Sequence, residues 1–233
     1  MSDDKLQGFW EGKRSAMTAA RERARELAIG GKRVEAKSVL ASAHYSRAQT
    51  LRTRGRIWLP FVAWHFLWAR AHARKLSVWG INALSPEQCD VAGTILLKGP
   101  FSDNIAAARC FNAGIEKMQV GKTKPHTIAL LHIGLGECFE HGDTPAKEFF
   151  APHAFHAAAA LISRIEKEEP DIHGKRQLIR VLRRCGTYFA ERVPRCIDDR
   201  SLWIMRGDEF LLRAEELARE VSSDQLAKLK ARG

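Results

Sequence analysis

Several things are scarce in this chain of 233 residues, and each scarcity removes a class of protein. The five cysteines, Cys89, Cys110, Cys138, Cys185 and Cys196, are an odd number spread over more than a hundred positions with no C-x-x-C pair, so no disulfide framework is expected. A reducing compartment, the cytoplasm, follows as the default. The opening residues Met1 to Lys5 lack the basic start and apolar run of a signal peptide, and Asp3 and Asp4 oppose a transit peptide. The longest apolar run, Ile57 to Ala69, is interrupted by Pro60 and His65 and falls short of the roughly 18 to 20 residues that span a bilayer. Period-two alternation is also missing, which leaves strands without support.

What is present is a globular composition. Hydrophobic residues make up 45% and charged residues 28%, which excludes disorder driven by charge and supplies a sizeable core. The punctuation is helical. Ser85-Pro86-Glu87-Gln88 is a capping box with proline at the first helical position, and the helix it opens should stop at Gly99-Pro100. The same grammar recurs at Thr144-Pro145, after the stop at Gly142, and at Ser222 with Gln225 three residues on. Between these marks the chain predicts helices over about 3–29, 32–54, 57–79, 86–98, 103–119, 125–141, 145–168, 174–193, 199–220 and 223–231. Short connections make consecutive helices antiparallel neighbours, so the expected architecture is one all-α domain, 1–233, of helical hairpins. Within it, 1–80 forms basic, Trp-rich N-terminal helices, 81–221 the repeat-like hairpins and 222–233 a short C-terminal helix.

Two helices have distinct patterns. In the first, Leu6, Phe9, Trp10, Met17, Ala20, Ala24, Leu27 and Ala28 share one sector and predict a buried face. In the third, Trp58, Phe61, Val62, Trp64, Phe66, Leu67 and Trp68 point all round the axis. Such a helix should be covered on every side, first as the packing centre of the domain and second by lipid headgroups.

Leu135-Gly136-Glu137-Cys138-Phe139, closing at Gly142-Asp143 and followed by Ala151, Phe155 and Ala158, resembles a hairpin of the tetratricopeptide-repeat family. The hairpin 86–119 echoes it with Gly93, Leu97, Ala106, Cys110 and Ala113. Small residues at those places let paired helices approach closely. The two hairpins lie farther apart than the family's repeat length, and Pro152 sits inside the second helix, so the likeness covers only about 34–169. The resemblance implies antiparallel hairpins stacked as a right-handed superhelical array. It also implies a non-catalytic scaffold that binds another protein or a peptide in its concave groove.

The residues that resemble chemical motifs have structural explanations. Gly121-Lys122-Thr123 matches the end of a phosphate-binding loop, but the required upstream glycine is Glu116 and a helix precedes it. Cys138 with His141, and His153 with His156, are the nearest approach to a metal-ligand set. Those same positions fall in the hairpin seam and turn, so no metal and no cofactor are expected. His65 and His72 share a face with Trp58, Phe61 and Leu76, where core or interface packing accounts for them. Cys185 follows Arg183 and Arg184, whose charge would lower a thiol pKa, yet its spacing to Leu182 and Phe189 is that of a packed residue.

Charge separates the two ends. Lys and Arg number 38 against 27 Asp and Glu, a net +11. Residues 1–80 hold 16 basic and 6 acidic side chains, net +10, whereas 81–233 hold 22 and 21. Arg14, Arg21 and Arg25 line one flank of the first helix, and Arg47, Arg52, Arg54 and Arg56 crowd the end of the second. These are the candidate contacts to phosphate or an acidic partner, with Trp58, Trp64 and Trp68 as candidate interface aromatics. Leu40 and Leu51 share a sector with Lys37 and Arg54, which is unlike a groove-reading helix. Three partner classes stay open: another protein for an adaptor, nucleic acid or the ribosome for the basic third, and an anionic membrane surface for 57–79.

Overall fold

The computed structural model describes the backbone of residues 3–53, 58–98, 102–119, 122–142, 146–195 and 197–230, with side chains from 16 to 223 within those stretches except that of residue 79. All regular structure among the described residues is helical. In order it comprises α1 (Asp3–Ile29), α2 (Arg33–Arg52), α3 (Leu59–Lys75), α4 (Pro86–Lys98), α5 (Asn104–Glu116), α6 (Pro125–Glu140), α7 (Ala151–Ala159), α8 (Ile162–Glu168), α9 (Ile172–Thr187) and α10 (Arg200–Lys230). The chain packs as two compact units, Met1–Gly114 and Ile115–Gly233.

Local hydrogen bonding sets the helix ends in the first unit. The turn after α1 is a Schellman motif: Gly31 takes φ +77°, Lys32 N–H donates to Leu27 O (2.8 Å) and Gly31 N–H to Ala28 O (3.2 Å). The capping box at Ser85 is formed in both directions, Ser85 N–H donating to Gln88 Oε1 (2.9 Å) and Gln88 N–H to Ser85 Oγ (3.3 Å). Ala24, Leu27 and Ala36 bury the α1–α2 contact, as the sector in α1 predicts, although Ala28 is exposed. Ala48 and Leu51 of α2 pack on Val62 and Phe66 of α3, with Tyr45 and Trp58 at the edge. Small residues draw these two helices together: Ala41, Ala48, Ala69 and Ala73 are all fully or almost fully buried. Between α4 and α5, a Cβ added at Gly93 would stand 2.7 Å from the Phe111 ring, so only glycine admits that contact.

Among the described residues, the second unit holds an extended core. Ala129, Leu130 and Ile133 of α6, Phe155 of α7, Leu178, Val181 and Leu182 of α9, and Ala214, Leu217 and Val221 of α10 meet in it. Phe155 stacks on Tyr188 with ring centroids 3.9 Å apart and planes 7° from parallel. A Cβ at Gly136 would lie 2.8 Å from that Phe155 ring.

Three expectations about elements need correction. The helix expected over 145–168 is interrupted: a π-helical turn, Ala146–Phe150, leads into α7, and a break after Ala159 separates α8. Pro152 explains the wide turn, because its ring would clash with the carbonyl four residues back in a continuous α-helix. The cap proposed at Thr144 lies outside the described residues. The expected start near 174 is displaced to Ile172 by Asp171, whose Oδ1 accepts from Gly174 N–H at 2.7 Å. Finally, no helix begins after Ser222. Its hydroxyl donates to Ala218 O (2.9 Å) and that of Ser223 to Glu220 O (2.8 Å), so both bond back along a continuous α10.

Candidate binding face

The third helix carries two apolar sectors and covers only one of them. Val62, Phe66, Ala69, Ala73 and Leu76 are buried against the unit. At 100° per residue, Phe61, Trp64, Leu67, Trp68, Ala71 and Lys75 fall in the opposite sector of about 120°. This side faces out: Phe61 and Trp64 are each 57% exposed, Leu67 48% and Trp68 43%. The expectation that this helix is the packing centre is therefore overturned for its outer half. Among the three candidate interface tryptophans, Trp58 packs partly against the α2–α3 core while Trp64 and Trp68 stand outside, edge to face at 5.9 Å.

Toward its C-terminal end the flank of this face is cationic. Leu67, Arg70, Ala71, Arg74, Lys75 and Val78 line an open hollow of about 470 Å³. Asp103 reaches Arg74 at 3.9 Å. Sequence explains the sign of the surface, because no Asp or Glu occurs between Glu35 and Glu87.

Behind the aromatic ridge lies a histidine cluster of which the sequence showed only a part. His65 and His72 are one face of α3, and His44 of α2 completes the group. His44 and His65 approach Nδ1 to Nδ1 at 2.9 Å, one imidazole donating and the other accepting. The His44 ring lies 6.1 Å from His72 and 6.2 Å from Trp68, stacked on both. Burial, then the neighbouring His65, His72 and Arg21, lowers the His44 pKa to about 4. Burial, then Arg47 and Arg21, lowers that of His65, and burial, then Lys75 and Lys37, lowers that of His72. The imidazoles are consequently neutral at pH 7, and the His44–His65 hydrogen bond requires this of whichever ring accepts. His44 was missed because its relation to His65 exists only once α2 and α3 pair.

Arg21, Arg25 and Arg52 are exposed and Arg47 is half-buried, with Arg21 and Arg47 acting on the histidine cluster. The Arg14 side chain and residues Arg54 and Arg56 lie outside the described residues. Cys138 is buried while His141, His153 and His156 are exposed, and no group of three or more His, Cys, Asp or Glu able to hold a metal comes together among the described residues. His156 instead packs edge-on against Trp203 at 5.3 Å. Burial pushes the thiols of Cys138 and Cys185 up to about 12, so the arginines beside Cys185 do not activate it. One His–carboxylate pair, His126 with Glu169, has its oxygens engaged: Glu169 accepts from His126 N–H (3.1 Å) and from its ring, clamping the first turn of α6.

No helix among the described residues is long and apolar enough to cross a membrane. No protein-family model, curated protein or solved structure matches the chain.

Proposed function

We propose that the protein is a non-catalytic docking adaptor whose working surface is the outward side of α3. The observation that carries this reading is the exposed row Phe61, Trp64, Leu67 and Trp68. Soluble surfaces rarely leave such a contiguous apolar patch uncovered unless something binds there. The adaptor reading thus keeps its class and moves its surface from a concave groove to a convex helix. A tetratricopeptide-like arrangement of the hairpins is the finer part of the proposal. It is supported by Gly93 against Phe111 and Gly136 against Phe155, a glycine meeting an aromatic of the following helix in each hairpin.

Affinity purification of the full chain beside its Phe61→Ser/Trp64→Ser/Trp68→Ser variant tests this. A partner bound by the parent and lost by the variant is expected, whereas equal recovery would refute the docking face. A second reading, association with nucleic acid, is favoured by the exposure of Arg21, Arg25 and Arg52. It requires that retention on RNA or heparin collapse when these three become Glu.

A further inference from the structure

We infer that the surface on which α3 docks is an anionic phospholipid bilayer, with the helix lying in the plane of the headgroups. This rests on the docking reading above and names its partner. Three features of the face select that partner. The first is residue type and depth. Phe61, Trp64, Leu67 and Trp68 form a ridge, and indole rings partition to the boundary between headgroups and acyl chains, where the ring is apolar and its N–H is wet.

The second is charge. The ridge runs into Arg70, Arg74 and Lys75 around an open hollow whose other walls are Leu67, Ala71 and Val78. Cationic heads beside apolar walls suit a phosphate group with the start of its acyl chain. Together with the absence of any carboxylate between Glu35 and Glu87, they make the approach of α3 to a negative surface attractive, although Asp103 takes up part of the Arg74 charge.

The third is shape. A peptide ligand is held in a groove by main-chain or side-chain pockets. Here the aromatic side chains stand proud of a convex helix, and a fluid bilayer conforms to such a ridge without a preformed counterpart. Leu59–Lys75 is about 25 Å long at 1.5 Å per residue, enough to lay the aromatic half and the cationic half on the same leaflet. The opposite sector of the helix is already buried in its own unit, so the membrane meets one side only.

Flotation of the full chain with vesicles decides the matter. The probes are phosphatidylcholine alone and phosphatidylcholine with about one third phosphatidylserine. Binding to the mixed vesicles and not to the neutral ones is expected. It should weaken by about tenfold or more in Trp64→Ser/Trp68→Ser and lose its preference for anionic lipid in Arg70→Gln/Arg74→Gln/Lys75→Gln. Leu202→Ser/Leu212→Ser, which removes exposed apolar groups of α10, should leave binding intact. Because these side chains are exposed, apart from the half-buried Arg70, circular dichroism of each variant should match the parent, and a variant that unfolds is replaced by Trp64→Phe/Trp68→Phe with brominated lipid, where loss of quenching is the expected result.

Failure of the parent to float with anionic vesicles at low salt would overturn the lipid assignment, as would flotation indifferent to both α3 variants. If the vesicles are ignored while a protein or RNA is bound in a manner dependent on Phe61, Trp64 and Trp68, docking stands and the bilayer is excluded. If neither is bound, both readings fall.

Discussion

At the residue scale, His44 has the most informative surroundings. Its pKa is about 4 in the folded chain against 6.5 unfolded, so on acidification the unfolded state takes up the proton first. Stability is therefore undiminished above 6.5, falls as pH drops through the interval down to about 4, and levels off below it. His65 and His72 act in the same direction. Urea unfolding followed across this range should show a shallower decline for His44→Gln, which cannot be protonated; an unchanged slope would remove His44 as the cause. Gly136 is the second informative residue. A side chain there meets Phe155 at 2.8 Å and Ala154 Cβ at 3.3 Å. Gly136→Val should cost about 1–3 kcal/mol of stability, with part of the loss restored by Phe155→Leu, measured as a double-mutant cycle in denaturant. The glycine was legible as part of a repeat-like pattern, whereas the ring that makes it obligatory became visible only with α7 in place.

At the scale of elements, end signals were legible where donor and acceptor are three residues apart. Ser85 with Gln88 delimits α4 at the expected residue because the whole device is local. Ser222 with Gln225 has the same spelling and opens nothing, since a serine hydroxyl can equally bond the carbonyl one turn back and let the helix run on. Asp171, two residues before the expected start at 174, supplies the cap of α9. Replacing it with Ala should lower stability by about 1 kcal/mol and fray the start of α9, seen as faster amide exchange near Gly174. Pro152 was noticed, but its consequence, a π turn instead of an uninterrupted helix, depended on α7 staying docked on α6 through Ala151 and Phe155. Two apolar sectors on α3 were read as one buried helix. A helical wheel records polarity and is blind to which side a neighbour occupies.

For the whole molecule, charge is the property that sequence described best. A net +10 in residues 1–80 against near neutrality elsewhere makes the first unit the more strongly basic one. Association through that unit should weaken steeply with ionic strength, since about 0.15 M salt already screens charges beyond roughly 8 Å. Titration of binding against salt with the full chain checks this. A component that survives high salt and vanishes in Trp64→Ser/Trp68→Ser would measure the apolar share, and a wholly salt-insensitive complex would contradict the charge argument.

Sequence alone determined that the chain is helical, where most helices begin and end, and which third of it is positive. Each of these depends on hydrogen bonds within a turn or on a sum over residues, neither of which needs a partner distant along the chain. Tertiary structure decided which half of α3 faces water, that His44 joins His65 and His72, and that the packing forms two units. Those outcomes turn on which surfaces meet, because an apolar side chain lowers its free energy against any apolar neighbour and only the packed arrangement selects which one.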